Sequence, residues 1–252
     1  MASQRPAPKR GTLFQLQVVI GVAFVVATLF TAWSDPGLLP TNFRENIAFA
    51  PITQEATQNP VVSTTPTQRS RPLVGIVAGH SGSDSGAVCN DGLTERTVNE
   101  TVAAYVQQFL VEEGFDVDML QEFDPKLNGY QASALVSIHA DSCYYVNDQA
   151  TGFKVSSALA NPHPERAARL TGCLRNRYST ITGLTVHNSI TTDMTSYHAF
   201  DEIHESTTAI IIEVGFLNLD RQILTQQPEL IAEGIISGLK CFINNEDMNN
   251  PP

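Results

Sequence analysis

Apolar and polar positions fall in blocks along the chain, and the period within each block sorts them into strands and helices. Leu73–Ala78 (LVGIVA) is a short apolar run suited to a buried strand, stopped by Gly79. Thr94 stands where a helix cap belongs. From Glu95 to about Glu113 the spacing puts Val98, Val102, Val106, Phe109 and Leu110 on one face, and Gly114 ends the element. Phe115, Val117 and Met119 alternate at the period of a strand. Ala134–Ile138 (ALVSI) and Gly152–Ser156 are further strand candidates, and Thr208–Val214 (TAIIIEV) is the most strongly apolar of all. Pro164 opens a helix to about Tyr178, and Pro228 opens the last, with Leu230, Ile231, Gly234, Ile235, Leu239 and Phe242 in one stripe. Strands separated by helices predict an α/β fold: a single three-layer domain with a mostly parallel twisted sheet flanked by helices on both faces.

The flanks read differently. Residues 1–12 form a basic N-terminus carrying Arg5, Lys9 and Arg10, and residues 13–33 (LFQLQVVIGVAFVVATLFTAW) contain no charge. A bilayer core takes about 20 apolar residues, whereas the apolar stretch of a cleavable signal is usually about 7–15. The run therefore reads as an uncleaved transmembrane signal-anchor. Bases before it, with only Arg44 close behind, keep the N-terminus inside and place everything downstream on the extracytoplasmic side of a single-pass protein. Residues 34–71, rich in Pro, Thr and Gln, cannot bury a core and read as a disordered linker. The predicted folded domain is 72–244, and 245–252 is a polar tail.

Charge narrows the partners. The formal net charge is −11, and the three bases ahead of the apolar run leave −14 for the remainder. An acidic body argues against nucleic acid, which demands clustered Lys and Arg. The membrane is then a partner through the N-terminal helix alone. Cys89, Cys143, Cys173 and Cys241 lie outside the cytoplasm on this reading, where four cysteines allow two disulfides in three connectivities, or none if all are buried free thiols. No CxxC occurs, so a four-thiolate zinc site has no support.

Four polar residues occupy positions that strand and helix ends make chemically useful. His80 follows the first strand, Glu95 begins the next helix, and His139 ends ALVSI. Ligands in open α/β sheets gather at the carboxyl ends of strands, so the two histidines project from one edge. Two imidazoles and a carboxylate are a common catalytic zinc set, with a fourth position left for water. Glu213 lies near the end of TAIIIEV inside an otherwise apolar run, where a carboxylate is costly unless paired or used. Each feature alone has an ordinary explanation: a hydrogen-bonded histidine, a helix N-terminal carboxylate, an ion pair. His187, His198 and His204, before the last strand, read as surface or core residues that could also touch substrate or replace a ligand.

Four segments in order, GIVAGHSGSDSGAV, GLTERTVNETVAAYVQQFLVEEGFDV, ALVSIHADS with GFKV, and AIIIEVGFLN, resemble the type-3 family of zinc-dependent N-acetylmuramoyl-L-alanine amidases. The resemblance runs from about Pro72 to Ile243. It implies one Zn2+ ion held by His80, Glu95 and His139, with Glu213 as the catalytic glutamate. The implied substrate is peptidoglycan, cut at the amide between N-acetylmuramic acid and L-alanine. Protein activators are not specified by the sequence. The alternatives are another zinc peptidase acting on stem peptides, or a non-catalytic wall-binding domain of the same fold.

The chain departs from the family pattern in three places. Val77 stands where an Asp usually precedes the first histidine by three, the stretch between Met119 and Ala134 lacks the usual Arg, and Asp141 replaces a common Asn. A different group must therefore orient the first ligand. Only 74 positions separate His139 from Glu213, too few for the autoinhibitory helical insertion of some members, so an open site is expected. Cys89 and Cys143, close to the proposed ligands, are expected to brace the site, and Cys173 and Cys241 to join two helices.

Overall fold

Thr208–Phe216 carries the most apolar run of the sequence into the longest strand, buried at every position except Glu213. The computed structural model describes residues 71–248. The basic N-terminus, the apolar run 13–33, nearly all of the linker and the end of the polar tail lie outside the described residues. Among the described residues no helix is long and apolar enough to cross a membrane.

In chain order the elements are β1 (Leu73–Ala78), α1 (Glu95–Glu112), β2 (Asp116–Leu120), a 3-10 turn (Pro125–Leu127), β3 (Ala134–Asp141), β4 (Lys154–Ser156), α2 (Pro164–Thr182), α3 (Thr192–Thr195), α4 (Ala199–Glu202), β5 (Thr208–Phe216), α5 (Arg221–Gln226) and α6 (Pro228–Ile243). They build one five-stranded sheet in the order β2-β1-β3-β5-β4. All pairings are parallel except β4 against β5. Thr94 caps α1, its hydroxyl accepting the Thr97 N–H at 3.2 Å. Gly183, at φ 73°, ends α2 one turn beyond the predicted stop.

The two faces of the sheet are covered unequally. Alternate residues Val74 and Ile76, Val136 and Ile138, and Ile210 and Ile212 pack on α1, α2 and α6, so all three long helices share one face. Each such side chain contributes about 1.5–3 kcal/mol by leaving water. The opposite set, Val77, Leu135, Ala209 and Ile211, meets Leu127, Tyr130, Met194, Tyr197 and Ala199 from loops and short helical turns. The expected second helical layer is thus built from the 3-10 turn, α3 and α4, which span too few residues to show a helical period.

α6 lies between α1 and α2. Contact with α2 is close because a Cβ at Gly238 would fall 2.7 Å from Leu174 Cδ2. Cys173 and Cys241 join these helices by a disulfide. The described start of the polar tail docks on α2: buried Arg177 donates to Asp247 O at 3.1 Å, and Arg169 donates to Glu246 O at 2.6 Å.

Candidate metal centre

β1, β3 and β5 run parallel, so their carboxyl ends and the side chains just beyond them meet at one edge. Gly79 continues the ladder past β1 by donating to Ile138 O at 2.9 Å. His80 then turns out of the sheet with φ 65°, a left-handed conformation uncommon for a residue with a side chain. Glu95 enters as the first residue of α1. His139 and Glu213 are register partners on adjacent strands, and Lys154 is the partner of Glu213 on its other side. The row His139, Glu213, Lys154 therefore faces the cleft on the side of the short helices.

Three of these side chains converge. His80 Nε2 lies 3.2 Å and His139 Nδ1 3.1 Å from the same atom, Glu95 Oε1. A tetrahedral zinc ion with bonds of about 2.0–2.1 Å keeps its ligand atoms about 3.3–3.4 Å apart, so the cluster fits such an ion. The remaining Glu95 oxygen accepts the Ala87 N–H at 3.0 Å, and Oε1 also accepts from Ala140 N at 3.3 Å. Two glycines make the space. A Cβ at Gly79 would sit 2.5 Å from His139 Cε1, and one at Gly86 2.5 Å from Glu95 Oε2.

Glu95 and the two histidines perturb one another strongly. The hydrogen bond to Glu95 raises His80 to about 9 against the opposing effect of burial. Burial would lower His139, but the Glu95 hydrogen bond and the charges of Glu213 and Glu122 raise it. Burial would likewise raise Glu95, yet hydrogen bonds from His139, His80 and the Ala87 amide hold it well below the usual carboxylate range. The imidazole protons held this way are the ones a metal ion displaces.

Glu213 is the opposite case. Its Oε2 is out of contact with solvent and has no hydrogen-bond partner. Burial pushes the carboxyl up to about 7, with His139 opposing and Glu95 adding to the rise. Lys154 is buried, ion-paired with Asp141, and sits 4.9 Å from the centre of the Phe216 ring. The cleft has a volume of about 440 Å³, and the His80 side chain keeps 26% of its exposure at its mouth.

The structure also supplies residues that the sequence did not mark. Val77 is fully buried and offers no acceptor, and Asp84 takes that part, with Oδ1 2.7 Å from His80 Nδ1 and 2.7 Å from the Gly86 N–H. Glu122 accepts the His80 backbone N–H at 2.7 Å. Both lie in irregular segments, where no periodicity points at a side chain. Of the three late histidines, His198 joins the cleft, whereas His187 bonds Ser189 and His204 bonds Ser206. Cys89 is bonded to Cys143, tying the loop before Glu95 to the loop after His139, and no cysteine is free among the described residues.

Fold and site together define an α/β domain with a two-histidine, one-carboxylate cluster at its strand ends. The sequence profile described as N-acetylmuramoyl-L-alanine amidase matches residues 74–241, two thirds of the chain. The protein belongs to the N-acetylmuramoyl-L-alanine amidase family, and is a hydrolase of peptidoglycan amide bonds. Solved structures share the fold. The N-acetylmuramyl-L-alanine amidase Ami1 of Mycobacterium smegmatis aligns with TM-score 0.59 at 17% identity, covering 69% of this chain and 97% of its own. An N-acetylmuramoyl-L-alanine amidase of Clostridium difficile 630 gives 0.55 at 20%, covering 70% and 99%. The CwlD amidase of Clostridioides difficile, solved in complex with the GerS lipoprotein, gives 0.55 at 18%, covering 69% and 100%. A search of curated proteins returned no sequence match.

Proposed function

We propose that this protein cleaves the bond between N-acetylmuramic acid and L-alanine with one zinc ion held by His80, Glu95 and His139, and with Glu213 as general base. The observation that carries this reading is the convergence of His80 Nε2 and His139 Nδ1 on Glu95 Oε1, beside a strand-paired Glu213 whose Oε2 has no partner. When bound, the ion supplies Lewis acidity that polarises an amide carbonyl and acidifies water. The Glu213 carboxylate takes the proton of the attacking water and later delivers one to the departing L-alanine nitrogen. A carboxyl shifted toward neutral pH suits both transfers. Lys154, ion-paired with Asp141, lies beside Glu213 and offsets part of the rise that Asp141 adds to its carboxyl. Asp84 holds the His80 ring so that Nε2 faces the cluster.

The apolar run 13–33 supports a single-pass anchor with the hydrolase outside the cytoplasm, where its substrate lies. Membrane fractionation, with protease added to intact cells, should find the protein pelleted and its C-terminal part digested.

The test of function is a digest of purified peptidoglycan by residues 66–252, a compact unit, with zinc present and Glu213→Gln as control. Stem peptides beginning at L-alanine are expected, and the variant should lose turnover by at least about a thousandfold while still binding zinc. Fragments cut inside the stem would make the protein another zinc peptidase. An untouched wall with zinc bound would make it a binding domain.

A further inference from the structure

We propose that Glu122 positions both metal-binding histidines, and that His198 holds Glu122 in place. The inference rests on the metal reading above and extends it to a residue of the cleft wall outside the three-residue cluster. Nδ1 is the His139 nitrogen that faces Glu95, and a metal ion held there would leave the ring proton on Nε2. That nitrogen is buried and has no hydrogen-bond partner. Glu122 Oε2 is 3.6 Å away, a small ring movement from a hydrogen bond.

The same oxygen accepts the His80 backbone N–H at 2.7 Å. A residue with a side chain held at φ 65° costs free energy and persists only where its surroundings enforce it. The Glu122 bond does so from one side, and Glu122 N–H donates to Ser81 O at 3.1 Å from the next residue. One carboxylate oxygen thus addresses the backbone of the first ligand and the ring of the third.

The other oxygen explains how a carboxylate with only 6% exposure is tolerated. Glu122 Oε1 lies 3.1 Å from His198 Nε2, and His198 Nδ1 lies 2.7 Å from Glu202 Oε1. The Phe123 ring stacks on the His198 imidazole with centroids 4.5 Å apart. His198 precedes α4 and Glu202 is its last residue, so the short-helix layer braces the metal site through Glu122. Partners of this kind typically carry about 10–100-fold in metal affinity.

The experiment measures the zinc Kd of the detergent-solubilised full chain by chelator competition, for the native protein and for Glu122→Ala, Glu122→Gln and His198→Ala. Kd should rise about 10–100-fold in Glu122→Ala. It should rise less in Glu122→Gln, whose amide oxygen still accepts one N–H, and in His198→Ala, which leaves Glu122 present. Unfolding of the metal-free proteins separates affinity from general destabilisation, and Glu122→Gln keeps the test available if Glu122→Ala fails to fold. An unchanged Kd in folded Glu122→Gln and His198→Ala overturns the proposal. So does a cobalt(II) spectrum of Glu122→Gln showing one ligand fewer, because Glu122 would then be a ligand. A native chain that binds no zinc would instead refute the metal reading beneath it.

Discussion

Glu213 sits between His139 and Lys154 in the sheet, and burial lifts its carboxyl to about 7. A general base works ionised, so kcat/KM should rise with pH through the folded-state value and level off above it. A cation bound at the histidines pulls the midpoint down, so the acid limb is expected at or below about pH 7. A rate independent of pH between about 5 and 8 would remove Glu213 from the proton transfer. Gly79 makes an equally sharp case. A Cβ 2.5 Å from the His139 ring leaves no room for both, so Gly79→Ala should weaken zinc binding by at least about tenfold while the purified protein remains folded. Circular dichroism with chelator competition checks both halves. At this scale the sequence marked His80, Glu95, His139 and Glu213 because they stand at element ends. Asp84, Glu122 and Lys154 were not legible, since their partners are 4, 42 and 13 residues away and no period relates them.

The strands and the three long helices announced themselves, because a buried strand or an amphipathic helix repeats its apolar positions often enough to be seen, whereas α5, with six residues, did not. α3 and α4 have four residues each and show no such repeat, yet α3 and the residues leading into α4 line the cleft. β4 was legible as a strand, but its antiparallel direction depends on where the chain returns to β5. The loops are tied as firmly as the strands. The Cys89–Cys143 bond closes 54 residues, which on the loop-entropy account is worth about 4 kcal/mol. The double variant Cys89→Ser with Cys143→Ser should lose about 2–4 kcal/mol in urea unfolding and bind zinc more weakly, because Ala87 and Ala140 both hold Glu95. Unchanged zinc affinity would leave the bond a role in stability alone.

For the molecule as a whole, the proposed metal site ties ion binding to folding. The three proposed ligands come from residues 80, 95 and 139, and Glu213 joins them from a fourth element, so the cluster exists only in the native state. Zinc at about 1,000 times its Kd should stabilise the fold by about 4 kcal/mol, seen as a rise in Tm that chelation abolishes. Equal Tm with zinc and with chelator would show that the ion is not bound by the native state.

By itself the sequence determined the α/β class, the order of the strands and long helices along the chain, and the four residues at the centre of the site. Periodicity and turn residues are local properties, and motif order is a property of the chain. Only the tertiary structure decided that all three long helices share one face, that short turns form the other, and that Glu122 and His198 stand behind the histidines. Those outcomes depend on which side chains meet after the sheet is assembled, and contacts between distant segments leave no trace in the spacing of residues.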